Sequence, residues 1–303
     1  MSTKVPFSAW MPTQLDRLEA ALSDWVPAHA PAELGTAMRY AVLDGGKRLR
    51  PLLVLAARHA VSTGADDPAL DEAALRAACA IELIHAYSLV HDDMPCMDND
   101  VLRRGKPTVH VQFGQAQALL AGDALQALAF EVLTPEGGSV PDDLQGRLCH
   151  ILARAAGHAG MAGGQAIDLA SVGTRLDEAG LRRMHQLKTG ALLWASVRLG
   201  ASCGQAGAQA LACLSQYGQA LGIAFQVIDD VLDVTADSAT LGKTAGKDAA
   251  NDKPTYVSLM GLDRSRQYAD QLLQQALDAL ARSGLSQTHL LSDLALQVVG
   301  RTH

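Results

Sequence analysis

The chain has 303 residues, long for one hydrophobic core but acceptable for a single large helical domain. Its 49% hydrophobic content with only 4% aromatic residues points to interiors of Ala, Leu, Val and Ile, packed helix on helix. A formal net charge of −7 argues against a nucleic-acid binder. The opening MSTKVPFSAWMPTQ lacks the basic start and apolar run of a secretory leader, and no stretch approaches the roughly 20 apolar residues of a membrane span. Five cysteines without a CxxC pair form neither a zinc set nor a disulfide framework. The expectation is a cytoplasmic protein without membrane insertion.

In chain order, Leu15, Leu18, Ala21, Leu22 and Trp25 recur at helical spacing and give an amphipathic first helix. After Pro31 a second helix carries Met38, Tyr40 and Val42 into Asp44-Gly-Gly-Lys47-Arg48-Leu49-Arg50-Pro51. Glycine lets backbone approach an anion, and Pro51 can open a helix whose N-terminus favours negative charge. Lys47 and Arg50, three apart, can point one way; a basic turn between surface helices has the same composition. Leu52 to Val61 continues as a helix, and Ser62 to Asp71 reads as a loop.

Residues 82–110, ELIHAYSLVHDDMPCMDNDVLRRGKPTVH, carry the first concentration of ionic chemistry. Glu82 to His91 suits a helix, with Ser88 and Asp92 one turn apart on one face. Pro95 should end or bulge it between Met94 and Asp98, since a proline inside a helix costs roughly 3 kcal/mol. That bend returns Asp98 toward Asp92 and Asp93. Carboxylate oxygens are hard ligands, and magnesium typically takes one or two of them and leaves its other positions to water and phosphate. Arg103, Arg104 and Lys106 follow within reach of such phosphate oxygens. The pattern reads as a magnesium-diphosphate site; a solvated acidic helix end is the plain alternative.

Val109 to Thr134 reads as a largely buried helix, 134–143 as a connector, and Leu144 to Ala170 as a helix whose glycines permit close contacts or a kink. Gln165 and Asp168 share a face, either to orient metal-bound water or as a buried polar pair. Leu181 to Leu199 includes His185, Lys188 and Thr189; a lysine in so apolar a helix needs a partner, phosphate or carboxylate. In the next helix Gln226, Asp230, Asp233 and Asp237 fall along one stripe with Asp229 beside them, and like charges stacked this way call for a cation. The polar stretch 238–255 reads as a lid carrying Lys243, Lys247 and Lys253. Further helices are expected over Tyr256 to Leu259, Tyr268 to Leu280 and Leu290 to Val299.

From GGKRLRP through HDDMPCMDND, LRRGKPT, LKTGAL and FQVIDDVLD to LGKTAGKD, nearly the whole chain resembles the trans-type isoprenyl diphosphate synthases, particularly the bacterial farnesyl diphosphate synthases. The resemblance implies an all-α isoprenoid synthase fold, residues 1–303 forming one large helical bundle around a deep central cavity, usually in a homodimer. It implies that Asp92, Asp93, Asp98, Asp229, Asp230 and Asp233 hold three magnesium ions on an allylic diphosphate. Arg103, Lys188, Thr189, Gln226, Lys243 and Lys253 would hold the same group, and Lys47, Arg50, His85 and Arg104 would hold isopentenyl diphosphate. Val101 departs from the acidic residue that many relatives carry before Leu-Arg-Arg. The implied activity is head-to-tail condensation of isopentenyl diphosphate with dimethylallyl and geranyl diphosphates.

Tyr87 and Ser88, about 7.5 and 6 Å below Asp92 along a helix, are the candidate chain-length residues. An aromatic at Tyr87 resembles the farnesyl-forming pattern, with geranylgeranyl or geranyl diphosphate as alternative products. A metal-dependent phosphohydrolase would leave the second acidic helix unexplained. A terpene cyclase would need a ligand where Leu259 follows Asn251 and Thr255, and a non-catalytic subunit would tend to have lost an acidic motif.

Overall fold

The computed structural model describes residues 5–43, 45–63, 67–174, 176–235 and 254–300. Among them the expected all-α architecture is observed. It comprises α1 (Phe7–Trp25), α2 (Leu34–Val42), α3 (Leu49–Ala60) and α4 (Pro68–Asp92), then the two-residue strands β1 (Leu102–Arg103) and β2 (Lys106–Pro107). After these come α5 (Val109–Phe113), α6 (Gln115–Leu133), α7 (Asp142–Ala156), α8 (Met161–Ala170), α9 (Glu178–His185), α10 (Ala191–Ser202) and α11 (Ala208–Thr235). Tyr256–Met260, Leu262–Arg282 and His289–Val299 form α12, α13 and α14.

The centre is α4. The Asp67 carboxylate caps it by accepting from the Leu70 N–H at 3.1 Å, and Pro68 supplies a pre-set φ in the first turn. Ala73, Ala74, Ala77, Ala78 and Ala80 are fully buried along its length, and so small a surface lets α1, α2, α3, α6, α7 and α10 all reach it. α10 lies against α3 and α11, and α11 lies against α13, so the acid-bearing ends of α4 and α11 belong to one packed framework.

Several boundaries differ from the sequence expectation. The loop expected over Ser62 to Asp71 ends sooner, because the Asp67 cap starts α4 at Pro68. The stretch 109–134 is two helices rather than one, broken at Gly114, whose φ of 87° only glycine adopts readily. Nor is it largely buried: Leu119 and Leu120 of α6 are 46% and 52% exposed. The stretch 144–170 breaks after Ala156, where Gly160 passes so close to the preceding turn that a Cβ would lie 2.1 Å from the Ala155 carbonyl. The expectation that no run approaches a membrane span is also corrected. Pro68–Asp92, Gln115–Leu133 and Ala208–Thr235 are long and apolar enough, α4 and α11 because helices inside a bundle face apolar neighbours on most sides, and α6 because its exposed face is apolar too.

Candidate active site

The expected bend after α4 forms, slightly earlier than anticipated. The helix stops at Asp92, the chain turns through Pro95, and the Asp98 N–H donates to the Asp92 carbonyl at 2.9 Å. Asn99 takes a left-handed φ of 50°, a conformation its short polar side chain tolerates. Asp92 faces a cavity of about 540 Å³, while Asp93 points the other way and is 2% exposed. There the Arg103 guanidinium grips Asp93 in a fork, with contacts of 2.6, 2.9 and 3.1 Å. Burial raises the Asp93 carboxyl above the ordinary range against the pull of Arg103. Burial raises Asp92 further, to about 6; Lys188 opposes the rise and the neighbouring charge of Asp98 adds to it.

Arg103 and Arg104 leave a hairpin whose register pairs Arg103 with Lys106. Arg104 adopts a left-handed φ of 51°, which re-aims its side chain toward the glycine turn before α3, where Nη1 donates to the Gly45 carbonyl. In that turn Arg48 is also left-handed, at φ 45°, a strain of order 1–3 kcal/mol. Its buried guanidinium donates to Glu82 at 2.8 Å, to Glu19 at 2.7 Å and to the Val42 carbonyl at 2.7 Å. Arg48 is thus the anchor of the basic turn, a role its sequence neighbours conceal. Lys47 beside it is exposed, and Arg50 lines the cavity. His85 lines it too; burial first, then Arg50, Arg104, Arg103 and Arg48, hold its pKa well below the ordinary value, so the ring is neutral. A neutral imidazole can still donate one N–H to an anion.

On the opposite wall, 181–199 is not one regular helix. Gln186–Gly190 forms a π turn between α9 and α10, an irregularity common at functional positions. Gly164 of α8 and Gly222 of α11 press on it from two sides: a Cβ at Gly164 would lie 2.1 Å from the Lys188 nitrogen, and one at Gly222 would lie 2.8 Å from the Gly190 Cα. The turn puts Lys188 and Thr189 on the cavity wall. Lys188 Nζ meets Asp168 at 2.6 Å, so the ordinary carboxylate partner is present; Asp168 is 4% exposed. Thr189 donates to Gln226 Oε1 at 3.0 Å, and Gln226 donates in turn to Asp230 Oδ1 at 2.8 Å. The other Asp230 oxygen accepts from the Tyr256 N–H at 2.8 Å, which ties α12 to α11. Asp229 lines the cavity, whereas Asp230 and Asp233 are 2% and 4% exposed behind it.

Apolar side chains also line the cavity, among them Met97, Met161, Ala166, Leu169 and Phe225. Tyr87 and Ser88 line it as well. The Ser88 hydroxyl donates to the His85 carbonyl at 2.8 Å, so its polarity is spent within its own helix. Asp237, Lys243, Lys247 and Lys253, with the expected lid as far as residue 253, lie outside the described residues.

The donor set fits magnesium better than a softer metal. Asp92 and Asp229 present carboxylates to one cavity, and the upward shift of Asp92 marks a charge that a cation would relieve. Among the described residues no three acidic, His or Cys side chains already converge on one point.

The polyprenyl synthetase family matches residues 31–288. A probable farnesyl diphosphate synthase of Bradyrhizobium diazoefficiens is 51% identical over 283 residues, covering 91% of this chain and 82% of the relative. A chloroplastic geranylgeranyl pyrophosphate synthase of Arabidopsis thaliana is 46% identical, covering 90% and 76%. Among solved structures, a geranyltransferase from Helicobacter pylori complexed with magnesium and isoprenyl diphosphate superposes with a TM-score of 0.84 at 33% identity, covering 99% of this chain and 98% of that one. The chain belongs to the polyprenyl synthetase family.

Proposed function

We propose that this protein is a magnesium-dependent prenyltransferase that joins isopentenyl diphosphate head to tail to dimethylallyl and geranyl diphosphates and releases mainly farnesyl diphosphate. The observation that carries this reading is one cavity lined by acids from α4 and α11, by cations from three segments, and by Tyr87 with apolar side chains. A diphosphate suits the charged side chains and a prenyl tail the apolar ones. The similarity to the Bradyrhizobium farnesyl diphosphate synthase supports the same product.

In this reading Asp92, Asp93, Asp98, Asp229, Asp230 and Asp233 serve three magnesium ions, which when bound would neutralise charge on the allylic diphosphate. Arg103, Lys188, Thr189 and Gln226 hold that group, together with Lys243 and Lys253 of the undescribed segment. Lys47, Arg50, Arg104 and the neutral His85 hold isopentenyl diphosphate. Breaking the allylic C–O bond leaves a carbocation and an anionic diphosphate, and Lys188 and Arg103 are positioned to stabilise the anion as it forms. The apolar walls exclude water while the isopentenyl double bond attacks, and the departed diphosphate takes up the proton that the resulting cation loses to form the new double bond. No protein nucleophile is required. Labelled isopentenyl diphosphate with each allylic starter, followed by chromatography of the dephosphorylated alcohols, tests the reading. A fifteen-carbon alcohol is expected; inorganic phosphate without coupled product rejects it. The Arabidopsis similarity favours a second reading, a twenty-carbon product, which the same chromatogram separates.

The catalytic unit is the whole chain, 1–303, as one domain, a reading supported by a large buried cluster whose members run from Trp10 to Val298. It works as a homodimer. Supporting this is the exposed apolar face of α6, whose most apolar window is only 44% buried, which a second copy would cover. Leu120→Lys should then yield monomer in analytical ultracentrifugation. The protein acts in the cytoplasm without inserting into a membrane, a reading supported by the 78% and 61% burial of the apolar windows of α4 and α11.

A further inference from the structure

One turn below Asp92, α4 and α6 are tied together behind the Tyr87 ring. Tyr87 and His91, four residues apart, meet edge to face with centroids 5.7 Å apart at 78°. His91 Nε2 lies 3.0 Å from the Leu119 carbonyl, so the ring bridges the two helices. It occupies a notch that exists because residue 122 is glycine: a Cβ there would fall 2.1 Å from the same nitrogen. The Gln126 side chain stands near enough to the Tyr87 phenol to oppose part of the upward pKa shift that burial imposes on it. Leu119, Gly122 and Gln126 stand at i, i+3 and i+7 of α6, one stripe facing the α4 pair. Tyr87 is 9% exposed, and the part that shows is cavity wall.

An aromatic ring limits a growing chain only if it stays in place. Tyrosine turns about two side-chain torsions, and the pressure of an elongating tail acts on both. His91 blocks one side of the ring, and Gln126 stands beside its phenol. We propose that His91 and Gln126 are positioning residues for product length: together they hold Tyr87 across the end of the prenyl cavity, and Gly122 is required because it seats His91. This rests on the prenyltransferase reading and deepens it. The length-setting element is a cross-helix group of side chains rather than the residue five places before the first aspartate alone.

The test uses the full-length protein with labelled isopentenyl diphosphate and geranyl diphosphate, product lengths read by chromatography and folding checked by circular dichroism. The unmodified protein should stop at fifteen carbons. Gln126→Ala and His91→Ala should each raise the ratio of twenty- to fifteen-carbon product by about fivefold or more, the equivalent of losing one hydrogen bond or packing contact. The KM for isopentenyl diphosphate should stay near that of the unmodified protein. His91→Phe, which keeps a ring against Tyr87, should restore the fifteen-carbon product. Gly122→Ala, which displaces His91, should redistribute products in the same direction as His91→Ala. If Tyr87→Ala lengthens the product while folded His91→Ala and Gln126→Ala variants keep the original distribution, the positioning role is overturned and the prenyltransferase reading stands. If the unmodified protein couples nothing, both fall.

Discussion

The two acid-bearing helix ends solve one problem in different ways. At the end of α4 the chain leaves the helix at Asp92, and a turn through Pro95 returns the Asp98 backbone to the Asp92 carbonyl. In α11 the helix continues to Thr235, and its own period places Gln226, Asp230 and Asp233 on one side. The first arrangement leaves Asp92 facing the cavity with its pKa raised to about 6. The second presents Asp229 and sets Asp230 between Gln226 and the Tyr256 N–H. One acid in each set therefore faces the ligand while a neighbour braces the wall: Asp93 through Arg103, Asp230 through α12.

The largest expected effect comes from removing the cavity-facing member on either side. Asp92→Ala and Asp229→Ala should each lower kcat by about 100- to 1000-fold at unchanged helical content, and thorough chelation should abolish activity. Near-normal turnover in either variant would leave that helix end without a catalytic part. Second, bracing and facing acids should separate by stability. Asp230→Ala loses two hydrogen bonds and should cost about 2–3 kcal/mol in denaturant unfolding, whereas Asp229→Ala should stay within about 1 kcal/mol. Equal losses would erase the distinction.

A smaller effect should appear with pH. The folded-state pKa of Asp92 is raised from 3.8 to about 6, so the folded protein binds this proton more tightly than the unfolded chain does. In the metal-free protein the resulting stabilisation is complete below about 4 and is lost as pH rises through about 6. Metal binding runs the opposite way, since it needs the ionised carboxylate. Magnesium-dependent protection against thermal unfolding, with diphosphate present, should weaken as pH falls below about 6; a flat profile would count against Asp92 as a ligand. The smallest expected effect is at the basic turn. Arg50→Ala should raise the KM for isopentenyl diphosphate by about tenfold and change that for geranyl diphosphate little, while equal shifts would merge the two phosphate subsites.

Much of this site is legible in the residues themselves. Pro95 forbids a straight helix through the first acidic run, and the spacing of Gln226, Asp230 and Asp233 needs nothing but helical period. What escapes is whatever depends on contacts between distant segments. The π turn at Lys188 and Thr189 follows from α8 and α11 closing on it through Gly164 and Gly222, which no local pattern in LKTGAL encodes. The divergence of Arg103 and Arg104 comes from a two-residue hairpin and a left-handed φ at Arg104. Arg48 looks like its basic neighbours until Glu19 and Glu82 arrive from two other helices to bury it. The break at Gly114 and the bare face of α6 are likewise tertiary facts, since composition alone does not distinguish an apolar face that meets its own chain from one that does not.

The central claim is that Asp92 and Asp229 serve one metal-borne diphosphate across a shared cavity. A double-mutant cycle on magnesium-dependent binding of geranyl diphosphate, measured by calorimetry with Asp92→Asn, Asp229→Asn and the pair together, tests it most directly. Groups acting on one bound unit are non-additive, so the double variant should bind scarcely more weakly than either single variant. Losses that simply multiply would mean that the two helix ends act independently, and would contradict the account.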